Sequence, residues 1–121
     1  MNRREEPTDE ELGAIRTLCS GQVSYQEDGW RQVIHMEGLR FQAEGQSREM
    51  NALIVLNHDN STYPTKLYLS EKLSCGLNWN ESHYILGLEW HTFSWSNVRS
   101  NQAPIAILAD HLAPLKIGKA A

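Results

Sequence analysis

Residues 52–70, ALIVLNHDNSTYPTKLYLS, decide how this chain folds. Ala52 to Leu56 is apolar without a break. Such a run suits a strand covered on both sides or pressed by a helix, because no position is left for a solvated face. A polar loop, DNST, follows, and Tyr63-Pro64 closes it. Proline has no amide hydrogen, so Pro64 belongs at the first residue or on the edge of a strand. Leu67 and Leu69 then alternate with Lys66 and Tyr68, the two-residue period of a second strand.

Upstream of this stretch the pattern is antiparallel. QVSYQE runs into Asp28-Gly29, the strongest short hairpin signal in the chain. WRQVIHM ends at Glu37-Gly38, read as a second turn, and LRFQAE ends at Gly45. The spacing predicts an antiparallel meander of four strands, the last of them MNALIVLNH. Before the meander, Thr8 stands three residues ahead of Glu11, the spacing of a capping box. Leu12, Ile15, Leu18 and Cys19 follow at helical spacing, and Ser20-Gly21 is expected to end that helix.

Downstream, residues 71–102 show little periodicity, hold Trp79, Trp90 and Trp95, and read as mostly irregular, with a short strand at HYILGL. A last helix begins at Pro104, carries Ile105, Leu108 and Leu112 on one stripe and is limited by Pro114. The fold class is therefore α+β: an N-terminal helix, a four-stranded antiparallel meander, an irregular aromatic-rich segment and a C-terminal helix. One domain spans 1–121, with 1–7 and 116–121 expected to be flexible.

Bulk properties narrow the function. The net charge of −4 argues against a nucleic-acid partner, which needs a basic face. No apolar run reaches membrane-spanning length, so no membrane partner is expected. The opening MNRREEPTDEEL carries charges where a signal peptide needs an apolar stretch, which predicts a cytoplasmic protein. There Cys19 and Cys75 are expected as free thiols. His35, His58, His83, His91 and His111 form no pair four residues apart, and no zinc signature is present. No phosphate-binding glycine loop occurs, and no cofactor is expected. Asp110 and His111 are helical neighbours that point about 100° apart, too divergent for a dyad. Ser94 and Ser96 lack the nucleophile-elbow glycines of a hydrolase.

The order of elements, together with ALIVLNHDNSTYPTKLYLS, resembles the ubiquitin-conjugating (UBC) fold, in particular its divergent bacterial branch. The likeness spans residues 8–115. Members usually continue with further prolines after Tyr-Pro, where this chain has Thr65, Lys66 and Leu67. The resemblance implies a ubiquitin-like protein and an activating enzyme as partners. It also implies a catalytic cysteine about eight residues before a tryptophan. Counted from Tyr63 and back from Trp95, that slot falls on Gly87 or Leu88, and neither is a nucleophile.

LNWN lies where the family has His-Pro-Asn, so Asn80 would match the asparagine that steadies the oxyanion. Cys75 is the one thiol in the irregular region, a dozen residues early. A thioester carrier needs such a thiol. His91 is a candidate general base or a structural hydrogen-bond donor. Tyr63, Pro64, Trp79 and Trp90 are candidate binding residues, while Trp95 is expected in the core. The resemblance leaves three readings: a binding module for a ubiquitin-like protein or activating enzyme, an active carrier using Cys75, and a non-catalytic interaction domain of the RWD type.

Overall fold

The computed structural model describes residues 3–58, 61–74, 77–79, 81–96 and 98–117. Two helices and six strands follow one another as α1 (Asp9–Arg16), β1 (Val23–Asp28), β2 (Arg31–Ala43), β3 (Gln46–Val55), β4 (Lys66–Leu69), β5 (Glu81–Ile85), β6 (Leu88–Thr92) and α2 (Pro104–Ile117). All six strands join one antiparallel sheet in the order β1-β2-β3-β4-β6-β5. The class is α+β, but the sheet has six strands where the sequence reading expected four.

Local chemistry explains where α1 begins. The Glu11 amide donates to Thr8 Oγ1 at 3.1 Å and the Thr8 amide donates to Glu11 Oε1 at 3.0 Å, a closed capping box. Asp9, Glu10 and Glu11 place negative charge at the positive end of the helix dipole. The helix stops at Thr17 rather than at Ser20-Gly21. Residues 18–22 are taken up by β2 instead: the Ser20 amide donates to the Gly38 carbonyl at 2.9 Å and the Arg40 amide to the Leu18 carbonyl at 2.9 Å.

That pairing explains why Glu37-Gly38 is no turn. β2 runs straight through it as one strand, with a register shift between Met36 and Leu39. Gly38 adopts a φ of +65°, and a Cβ there would sit 1.9 Å from Ser20 Oγ. A bulge with glycine in the left-handed region bends the strand without reversing it. The reversal comes at Glu44-Gly45, both with positive φ, the two-residue hairpin geometry.

The unbroken run 52–56 is explained by the sheet's two faces. Ala52 and Ile54 join Ile34, Met36, Leu67 and Leu69 under the helices, against Leu12, Ile15, Ile107, Leu108 and Leu115. Leu53 and Val55 point the other way, into a second cluster with Val33, Tyr68, Ile85 and Trp90. No helix among the described residues covers that second cluster. β1 and the β5–β6 pair lie at opposite ends of the sheet, yet the Leu86 amide donates to Asp28 Oδ2 at 2.7 Å. The sheet therefore curls until two hairpin tips meet over the second cluster.

The β5–β6 hairpin lies in the segment expected to be mostly irregular, and the short strand expected at HYILGL is there split by a turn into the end of β5 and the start of β6. Its turn, Leu86-Gly87, has positive φ at both positions. α2 continues through the buried Pro114 to Ile117, past its expected limit, and the Leu115 carbonyl accepts from the Glu44 amide at 3.0 Å. At the other terminus Arg4 is held by a buried side chain: its amide donates to Gln32 Oε1 at 2.8 Å, and Gln32 Nε2 donates back to the Arg4 carbonyl at 2.7 Å. Within the start expected to be flexible, Arg4 is thus tied to β2; residues 1–2 of that start and 118–121 of the expected loose tail lie outside the described residues. No helix among the described residues is long and apolar enough to cross a membrane.

Candidate functional site

Pro64 delivers the chain into β4 with Thr65 and Lys66 both buried. Thr65 Oγ1 lies 3.2 Å from the Val98 carbonyl and 2.8 Å from His111 Nε2 on α2. A hydroxyl has one proton, so when Thr65 donates to Val98 it accepts from His111 Nε2–H. Burial drives the His111 pKa down to about 4; Asp110 opposes the shift and Lys66 reinforces it. The imidazole is therefore neutral at pH 7, a strut between β4 and α2.

Lys66 faces the opposite side of the sheet, where the topology gathers a line of polar groups. Its Nζ lies 3.6 Å from Glu81 Oε1, with the lysine side chain only 6 % exposed. The Tyr63 ring centroid is 5.1 Å from Nζ. Glu81 Oε1 is 3.9 Å from His83 Nε2, and His83 Nδ1 is 3.1 Å from the Tyr68 hydroxyl. Burial pushes the Tyr68 phenol up to about 12. His58 completes the group: burial first, then the charge of Lys66, lowers its pKa, and its Nδ1 is buried with no partner among the described residues. The line Tyr63–Lys66–Glu81–His83–Tyr68 joins the Tyr-Pro loop to β5. It pairs its own charges, which lets a lysine be buried in a strand. Among the described residues no group of His, Cys, Asp and Glu is arranged to hold a metal ion.

The residues singled out from sequence are dispersed. Tyr63 and Pro64 are half-buried beside Lys66. Trp79 packs on the helix-side core, its ring 5.0 Å from Phe93. Trp90 is 2 % exposed and its Nε1–H donates to the Ile85 carbonyl at 3.0 Å, so it offers no surface to a partner. Its assignment as a binding residue is corrected: it is core, its ring 5.9 Å from that of His35 in a T-shaped contact. Trp95, expected in the core, is 39 % exposed. His91 Nδ1 lies 2.8 Å from Ser82 Oγ across the β5–β6 ladder. His83 pairs with Trp90 in that ladder and so points to the opposite face from His91. Cys75 and Asn80 lie outside the described residues. Cys19 is buried, its thiol pKa raised by burial, and it is no thiolate at neutral pH.

The slot that the UBC resemblance assigns to sulfur is the tip of the β5–β6 hairpin. Gly87 has a φ of +80° and Leu88 is 60 % exposed. Tyr84, on β5, is 72 % exposed. β5 is the outermost strand, and no strand among the described residues pairs with its outer edge. This hairpin was not legible as a site, because Tyr84 and Leu88 read as ordinary members of an apolar run. Lys66, Glu81 and His83 were missed because only the fold brings residues so far apart together. Comparison with protein-family models, with characterised proteins and with solved structures finds no match.

Proposed function

We propose that the chain is a divergent ubiquitin-conjugating-like protein of a bacterial ubiquitin-like modification pathway, acting as a binding module for a ubiquitin-like protein or its activating enzyme. The observation that supports this reading is the β5–β6 hairpin, whose tip falls on Gly87 and Leu88, the residues that the resemblance's sequence count gives to the thiol. A tight turn of Leu86 and Gly87 has no nucleophile, whereas the same hairpin displays Tyr84 and Leu88 beside an unpaired strand edge. Strand addition at such an edge gives affinity through main-chain hydrogen bonds and specificity through alternate side chains. An exposed tyrosine adds contact area at small entropic cost. The α-helix, consecutive β1–β4 strands and Tyr-Pro loop support the fold half of the proposal.

The test is a calorimetric titration of the chain with the ubiquitin-like protein and with the activating enzyme of the same pathway. Tyr84→Ser and Leu88→Ser sit on exposed positions and should leave the melting temperature in place. One of the two partners should bind, and each substitution should weaken it by about tenfold, the effect of losing an apolar interface anchor. Binding of neither partner, or binding indifferent to both substitutions, refutes the proposal.

A further inference from the structure

A groove of about 540 Å³ runs between α2 and the β2–β3 hairpin, on elements separate from β5 and β6. Its floor is apolar: Leu18, Phe41, Ile105, Leu108 and Leu112. Its rim is cationic: Arg40, Arg48 and Lys116, with Glu49 the single acid in the lining. The ion pairs among the described residues are Arg3–Glu27 and Lys66–Glu81, so none of the three rim cations has a carboxylate partner there. Glu49 accepts from Ser20 Oγ at 3.1 Å instead. Arg48 Nε is buried with no hydrogen-bond partner among the described residues. A buried guanidinium nitrogen without an acceptor costs free energy, and because Arg48 as a whole is only half-buried its guanidinium can donate to an anion at the rim. In a chain of net charge −4, three cations without a carboxylate partner among the described residues, Arg40 donating to the Cys19 carbonyl at 3.5 Å, are a local inversion of sign around one apolar groove.

We infer that this groove binds a free single-chain anionic amphiphile of the fatty-acid class, its carboxylate at Arg48 and its alkyl chain along α2. The volume lies within the ordinary range of small-ligand sites, about 300–1,000 Å³. From Ile105 to Lys116 the groove follows α2 for about 16 Å at 1.5 Å per residue, room for about a dozen carbons. Leu18 and Ile105 are half-buried and line the open part of the groove, whereas Leu108, 0 % exposed, and Phe41, 7 % exposed, close it from behind.

The experiment titrates sodium dodecanoate, below its micelle concentration, into the full chain by calorimetry. One dodecanoate should bind per chain. Arg48→Gln should weaken it about tenfold by removing the charge-assisted contact. Ala109→Trp, at an exposed α2 position on the groove wall, should weaken it at least as much while the melting temperature holds. Dodecyltrimethylammonium should bind about tenfold more weakly than dodecanoate or not at all. Absence of saturable binding, equal affinity for the cationic amphiphile, or indifference to Ala109→Trp overturns the inference. So does co-sedimentation with anionic phosphatidylglycerol vesicles without uptake of free dodecanoate, which would make the cationic rim a membrane contact. A concentration-dependent dimer broken by Ala109→Trp, or an acidic helical peptide that outcompetes dodecanoate, would put another occupant in the groove and also overturn it.

Discussion

His111 links pH to stability in a way that can be measured. Its ring is 2 % exposed and bound to Thr65. Burial, with Lys66 adding and Asp110 opposing, lowers its pKa from 6.5 to about 4. The unfolded chain therefore binds more protons than the folded one between those two values. Stability is full above about pH 6.5, is lost as pH falls, and levels off below about pH 4. The whole effect is about 3 kcal/mol, and the step from pH 7 to pH 5 removes about 2 kcal/mol of it. Carboxylates and His58, whose pKa is also lowered, titrate near this window, so the wild-type curve alone does not isolate His111. The informative quantity is the difference between wild type and His111→Gln, whose amide can still donate to Thr65. Urea unfolding followed by tryptophan fluorescence at pH 5, 6 and 7 gives both. That difference should shift by about 2 kcal/mol against the wild type between pH 7 and pH 5. A difference constant to within about 0.5 kcal/mol would refute the buried, neutral assignment.

Three further outcomes follow from the fold. Gly38→Ala should destabilise the chain by about 2 kcal/mol or more in urea unfolding, through the left-handed φ and the overlap with Ser20 Oγ. A loss under about 0.5 kcal/mol would contradict the bulge. Asp28→Ala removes the acceptor of the Leu86 amide and should cost about 1–2 kcal/mol, with faster hydrogen exchange at Leu86; unchanged exchange there would mean that the hairpin tips do not meet. Lys66→Met should change stability by no more than about 1 kcal/mol, because Glu81 is 43 % exposed and can be rehydrated; a loss above about 3 kcal/mol would show that the pair is essential to β4.

What could be read from the sequence was local. The Thr8–Glu11 spacing places the start of α1, and Asp28-Gly29 and Gly45 mark two hairpins, because capping and tight turns depend on neighbours only. The unbroken run at 52–56 announces a strand buried on both faces, and the structure supplies a core on each side. What failed depended on distant partners. Glu37-Gly38 has the composition of a turn, but residues 18–22 pair beside it, and β2 bends there without reversing. Glu81 to Thr92 has too few β-branched residues to announce a hairpin, and Asp28, more than fifty residues away, secures its tip. Pro114 would end an isolated helix, yet in α2 it is buried and the helix continues. The polar line from Lys66 to Tyr68 and the cationic rim of the groove join separate elements, and no spacing in the chain foretells either.

The central functional proposal is that the β5–β6 hairpin is made for contact rather than for group transfer. It is tested most directly by incubating the chain with the activating enzyme, the ubiquitin-like protein and ATP, and reading intact masses with and without reductant. The account predicts that the chain's mass is unchanged while a non-covalent complex persists in gel filtration. A reductant-sensitive adduct that disappears in Cys75→Ser would contradict it and make the chain a thioester carrier.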